Sequence, residues 1–525
     1  SFFDRGGHSL LAMRLAARIR EGFGRDVQVR ALFKHSTVRA IAAHLDGERH
    51  ADVPPVLAVS RAQPLPLSYA QSRLWLLHQL EPEAERAYRL GAAVHLTGPL
   101  VVDALARALT HLAHRHESLR TVIRHDSLGV PFQIIGPPPS RVLEVEAARD
   151  LAEAETRAEE LLDEPFDLAH GPLLRAHLVC VDDLHHVLVI ALHHIVTDAW
   201  SWGVLERELG LLYAAFASGL DAPLAPLPFQ YADYAAWQRS WMTGDRLVEQ
   251  LAYWRDQLRG APPYLDLPTD RPRPSAPSYR GVRHRWTIPA SVLDDLYALA
   301  RSCGATLFMV LVAAIAVWLG RHAGQDEVVL GAPIANRSRG DLEGLIGFFL
   351  NTLALRIDLR EDPSFAELVA RVKETALDAY AHEHAPFEQV VDAVQPPRDL
   401  GRSPLFQAMV ILQNAPWKDQ PWPGVERRTL LASSGGAKFD LTLEMAETSE
   451  GLYAELEFNA DLFDLATIER LARRLDLLLE GATRAPSAKV SDLPLLTEAE
   501  RRALLGDWND TARPVDERSV VELFE

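Results

Sequence analysis

The chain has 525 residues, 48% of them hydrophobic, and its 72 Asp and Glu against 54 Lys and Arg leave a net charge of −18. That length supports several cores, arranged as three or four domains or lobes, and the apolar content excludes a disordered chain. The acidic balance, with no long basic block, excludes duplex nucleic acid and anionic membrane as partners. Two cysteines, Cys180 and Cys303, lie in apolar stretches and form no disulfide framework, which fits a reducing cytoplasm. Nothing at the start of the sequence reads as a signal peptide. The apolar run from Leu307 to Leu319 is too short to span a bilayer and predicts a buried helix.

The first block, SFFDRGGHSLLAMRLAARIREGFG, predicts a tight turn at Gly6 and Gly7 with Ser9 at the mouth of a helix. Leu10, Leu11, Met13, Leu15, Ala16 and Ile19 supply that helix with an apolar face. Short helices over Val29–Phe33 and Thr37–Leu45 complete a small all-helical unit. Ser9 reads plainly as an N-cap after a glycine turn. The same geometry equally suits a hydroxyl that carries phosphate, because free N–H groups and the helix dipole favour the anion. From about Gly47 to Pro66 the text is proline-rich and aperiodic, a linker.

The stretch VLVIALHHIVTDAWSW, Val187 to Trp202, reads as a buried strand that ends in two histidines, with a helix following from about Trp202 to Ala217. Strand ends and the loops after them are where reacting groups sit. Successive strand residues face opposite ways, so only one of His193 and His194 points into a given cavity. Either imidazole is a candidate proton acceptor near neutral pH. Asp198 either orients that imidazole, caps the helix, or lies buried and paired with a cation, in which case an arginine is expected elsewhere. A metal site is the weaker reading, since adjacent strand histidines diverge and no third ligand stands at a recognisable spacing. A second pattern of alternating helices and strands runs from about Val282 to Leu479, after the Pro-rich connector DLPTDRPRPSAPSYRG.

Two resemblances follow from these motifs. FFDRGGHSL looks like the attachment motif of the peptidyl carrier domains of nonribosomal peptide synthetases, which implies a 4'-phosphopantetheine arm covalently attached at Ser9. Most of Leu67 to Leu495 resembles the condensation domain of the same synthetases. The motifs SYAQSRLW, RHESLRT, HHIVTDAWS, YADYAAW, IGFFLNT, HAPFEQVV and RDLGRSPLFQ stand in the family's order. The implied fold is a small all-α carrier bundle, without the family's first helix, followed by an α/β condensation domain of two chloramphenicol acetyltransferase-like lobes set in a V with a tunnel between them. The expected division is carrier 1–46, linker 47–66, first lobe 67–240, second lobe 241–495, and 496–525 as the run-in to an adenylation domain.

The resemblance also implies a reaction: attack of the amine of a downstream aminoacyl thioester on an upstream peptidyl thioester. In that scheme His194 matches the second histidine of the family's HHxxxDG motif and is expected to position the amine and accept its proton. His193 and Asp198 are expected to hold the loop, with Arg337 as the partner of Asp198. Ala199 replaces the motif's glycine, which loses a residue free to adopt positive φ or narrows the passage beside His194. Both histidines, the carrier form GGHSL, and no second histidine motif near the start of the first lobe together imply an elongating domain with an L-configured donor. The expected partners are upstream and downstream carriers and a following adenylation domain. Two alternatives stand against this reading. One is a non-catalytic platform for carriers or a recruited enzyme; the other is a free-standing acyltransferase.

Overall fold

A computed structural model describes residues 1–25, 27–47, 53–337, 339–413, 420–432, 436–512 and 518–525. The helices Ser9–Phe23, Val29–Lys34 and Val38–Leu45 enclose a small core of Ala12, Ala16, Ile19, Val27, Leu32 and Ile41. Ala12, Ala16 and Ile19 recur at helical spacing, which gives the first helix its buried face. Gly24, at φ 64°, ends that helix in the left-handed cap that glycine adopts without strain. Ser9 is not the N-cap. His8 holds the extended cap conformation at φ −131° and ψ 177°, so Ser9 becomes the first helical residue and its hydroxyl has no capping duty.

Two larger cores follow. The first lobe is built on a five-stranded sheet in the order Glu426–Ala432, Arg89–Thr97, His185–His193, Leu174–Cys180, Leu143–Ala147. His185–His193 lies at its centre, with Arg89–Thr97 and Leu174–Cys180 antiparallel on either side. Its residues from His186 onward are buried, as an apolar run covered on both faces requires. The helix Ala199–Ala217 packs on Val102–Arg115 beside this sheet.

The second lobe carries six strands in the order Asn351–Asp358, Glu327–Ile334, Ala408–Gln413, Leu441–Thr448, Gly451–Asn459, Gly281–Pro289. The helix Leu307–Ala323 is buried almost throughout and is the centre of that core, as expected for the Leu307–Leu319 run. Among the described residues no single helix is long and apolar enough to cross a membrane.

The chain crosses between lobes twice after the first lobe is complete. Ile346 and Phe348 insert into the first lobe's core. The strand Glu426–Ala432 then joins the first lobe's sheet, pairing antiparallel with Arg89–Thr97 while Trp422 and Val425 pack beneath. The described part of the linker is also fastened. Val56 is buried among Phe229, Tyr231 and Phe349, the Trp237 indole donates to Pro54 O at 2.9 Å, and Arg61 pairs with Asp233 at 2.5 Å and Glu117 at 2.7 Å.

Candidate active site

A cavity of about 740 Å³ opens between the lobes. His194 lines it and His193 does not, although both are buried. The strand ends at His193, and His194 begins a 3₁₀ turn, so the two imidazoles diverge. His193 turns inward, where Nδ1 accepts from the Ile195 N–H at 3.1 Å and the ring lies edge-on to Phe166. Burial, followed by the positive charges of His78, Lys438 and Arg89, pushes its pKa down to about 3.

His194 Nδ1 lies 2.8 Å from Thr197 O. A carbonyl only accepts, so Nδ1 carries the proton and Nε2 keeps its lone pair. Burial, then the charge of Lys438, holds this imidazole well below its ordinary value, so it is neutral at physiological pH. Phe348 meets the ring edge-on at 4.8 Å, and the Gln71 amide donates to Ile195 O at 3.1 Å behind it.

Asp198 combines two of its expected roles. Its side chain caps the following helix by accepting from Ser201 N at 2.7 Å, which starts that helix at Ala199 rather than Trp202. It also accepts from Phe349 N at 2.9 Å and faces Arg337 at 3.4 Å, with both side chains 1% exposed. Arg337 is therefore a buried clamp. Its guanidinium donates to Leu342 O, Leu345 O and Ser201 Oγ at 2.6, 2.8 and 2.7 Å and lies 4.0 Å from the centre of the Phe349 ring. Ala199 has ordinary helical backbone, so the freedom of a glycine is not used there, and its methyl group lines the cavity.

Ser9 and Met13 of the helical unit line the same cavity. The Ser9 hydroxyl is 3.2 Å from Thr306 Oγ1, and Tyr380 lines the same part of the cavity. Arg14 holds Glu343 through two bonds of 2.7 and 2.9 Å, and Arg30 holds Glu374 and Asp378 at 2.5 and 2.8 Å. A phosphate-linked arm fits here: the hydroxyl opens into the cavity, and the N-terminus of the 15-residue helix has no side-chain cap occupying its N–H groups.

Sequence reading missed the far wall. Glu444 on Leu441–Thr448 and Tyr453, Glu455 and Glu457 on Gly451–Asn459 face the cavity, joined by Arg283 and Lys438. The signal was present as period-two alternation in LTLEMAET and GLYAELEFN, whose apolar members enter the second core. Several motif residues hold structure and do not line the cavity. Arg115 and His116 grip Glu208 at 3.0 and 2.8 Å, and Asp233 shares a capping box with Gln230.

Comparison with known proteins agrees with this arrangement. Residues 61–505 match the Condensation domain family and residues 1–45 match the Phosphopantetheine attachment site family. A linear gramicidin synthase polypeptide of Brevibacillus parabrevis is 45% identical over 99% of the chain, which spans only 7% of that relative's length. The X-domain from teicoplanin biosynthesis superposes with a TM-score of 0.78 at 32% identity, covering 84% of this chain and all of that one. The same X-domain in complex with OxyB gives 0.77 at 31% identity, covering 85% and 99%. The chain thus belongs to the condensation domain family of the nonribosomal peptide synthetases, with a phosphopantetheine-attachment unit ahead of the condensation domain.

Proposed function

We propose that this chain forms peptide bonds between an acyl thioester held at Ser9 and the amine of an aminoacyl thioester on a separate downstream carrier. One observation carries the reading: Ser9 and the neutral, tautomer-fixed His194 line one continuous cavity. Bound at Ser9, the phosphopantetheine arm supplies the thioester linkage. Thr306 and Tyr380 flank its attachment oxygen.

A thioester is already activated, so the protein's task is alignment, proton handling and stabilisation of developing charge. General-base assistance is worth about 10²- to 10⁴-fold, and an α-amine of pKa roughly 7.7 to 8.0 is partly free at neutral pH. His194 Nε2 is placed to orient that amine and receive its proton. Its lowered pKa makes it a weak base, which favours positioning as the larger part of its role. His193, Asp198 and Arg337 keep the turn in place. The intact histidine pair and the GGHSL carrier form favour an elongating domain with an L-configured donor, acting in the cytoplasm. Residues 496–525 lead toward an adenylation domain.

A second reading is favoured by the likeness to an X-domain found in complex with OxyB: a docking platform without bond formation. Intact-protein mass spectrometry separates the two. Ser9 is loaded with a peptidyl-phosphopantetheine and a downstream carrier with an aminoacyl-phosphopantetheine. Peptide appears on the downstream carrier, and His194→Ala slows its appearance by about 10²-fold. No transfer from folded, loaded wild type sinks the condensation reading in favour of the platform.

A further inference from the structure

Lys438 lines the reaction cavity and belongs neither to the histidine motif nor to its arginine clamp. Its position is firmly set. Gly436 runs so close to Ala87 that a Cβ would stand 2.6 Å from the Ala87 backbone, Ala437 N bonds Tyr279 O at 2.9 Å, and Asp440 pairs with Arg273 at 2.5 Å. This strap lays the Lys438 ammonium over the Tyr88 ring, 4.8 Å from its centre, and the same ring lies 6.2 Å from the His194 imidazole.

The charged groups facing Lys438 are Glu444 and Glu457 on the neighbouring strands, Arg283 beyond them, and Arg73 from the first lobe. Their contacts are made elsewhere: Glu457 with Arg283 at 2.8 Å, Glu444 with Gln413 at 3.0 Å, and Arg73 with Glu388 at 3.8 Å. Among the described residues no carboxylate lies within ion-pair distance of the ammonium. A cation half-buried in a reaction cavity without a counter-ion is costly unless a negative charge arises there. Burial pushes its pKa down to about 8, so it remains mostly protonated at neutral pH.

We infer that Lys438 is a catalytic residue of amide formation, stabilising the oxyanion that forms as the amine attacks the thioester carbonyl; the inference rests on the condensation reading. Attack makes the C–N bond and moves the carbonyl π pair onto oxygen, where the ammonium meets it. Return of that pair re-forms the carbonyl and breaks the C–S bond. The proton lost by nitrogen passes through His194 Nε2 to the departing thiolate. Removing one preorganised oxyanion partner typically costs about 10²- to 10³-fold in rate.

The test uses the full chain loaded at Ser9, a separate loaded carrier, and single-turnover transfer read by intact mass across pH 6.5 to 9.5. Lys438→Met is expected to slow transfer by about 10²-fold, and Lys438→Arg to recover most of it. The wild-type rate should fall above pH ~8 as the ammonium is lost, whereas the arginine variant should keep its rate. Histidine NMR of the unloaded protein provides an independent readout: His194 should titrate at higher pH in Lys438→Met, because a neighbouring positive charge has been removed. Lys438→Met at wild-type rate overturns the role. So does a slowed Met variant whose arginine counterpart shows no recovery and whose His194 titration is unmoved. Should the Met variant fail to fold, the alkaline limb of the arginine variant still decides. Wild type that transfers nothing refutes the condensation reading, and the role of Lys438 with it, whereas transfer that is indifferent to Lys438 refutes the role alone.

Discussion

At the scale of single residues, Asp198 and His194 divide structure from chemistry. The Asp198 carboxylate accepts from two backbone N–H groups and faces a guanidinium whose other bonds go to buried carbonyls and Ser201. Removing one partner of such a pair leaves an uncompensated buried charge, at a cost of about 3–5 kcal/mol. Asp198→Ala should therefore lower the melting midpoint and soluble yield together with activity. A variant of wild-type stability that has lost transfer would instead place Asp198 in the chemistry. Among the described residues the His194 side chain makes one hydrogen bond, to Thr197 O, and it lines the cavity beside Phe348 and Tyr88, so its replacement should cost rate far more than stability.

At the scale of elements, the loop leading into Asn351–Asp358 joins the lobes and sets the environment of His194. Ser118 Oγ donates to Ile346 O at 2.7 Å, Ser201 Oγ to Gly347 O at 2.8 Å, and the Tyr231 hydroxyl to Phe348 O at 2.6 Å. These bonds present the Phe348 ring to the imidazole. Gly347 is required by close approach, since a Cβ there would stand 1.9 Å from a carbon of the Tyr231 ring. Gly347→Ala is expected to destabilise by about 1–3 kcal/mol through overpacking and to slow transfer, because the loop must move off Tyr231 and take Phe348 with it. Thermal denaturation alongside the transfer assay checks this. A variant unchanged in both would show that the loop has room the packing denies.

At the scale of the whole molecule, the helical unit meets the condensation unit through complementary charge. Arg14 and Arg30 lie on its side, and Glu343, Glu374 and Asp378 on the other; Glu21 of the helical unit bonds back to Gly340 N. The Arg30 pairs are substantially exposed and worth at most about 1 kcal/mol each, whereas the bidentate Arg14–Glu343 pair is more buried and geometrically fixed. Arg14→Glu should slow transfer from Ser9 by about tenfold, equivalent to ~1.4 kcal/mol, and Glu343→Arg in the same chain should restore much of it. Transfer rates of the single and double variants measure this directly. A double variant as slow as either single one would remove charge pairing as what seats the carrier.

The sequence alone determined what local pattern encodes. The apolar run into His193 and His194, the glycine turn before Ser9 and the Leu307–Leu319 helix were legible because burial periodicity and turn chemistry act over a few residues. That only one of the two imidazoles faces the cavity was expected from strand alternation, but the divergence comes from the 3₁₀ turn that begins at His194, where the strand has already ended. Local pattern did not show that His8 rather than Ser9 caps the first helix, because the choice depends on backbone angles set by packing. Nor did it reveal that the Pro54–Arg61 segment is strapped down, that Glu426–Ala432 completes the other lobe's sheet, or that Lys438 and His194 both lie near the Tyr88 ring. Arg337 was nameable as a partner for Asp198, yet 139 positions separate them, and no sequence spacing constrains such a pair. The tertiary structure decided these pairings, because strand order, interlobe ion pairs and cavity walls arise from contacts between segments that the chain brings together only when it folds.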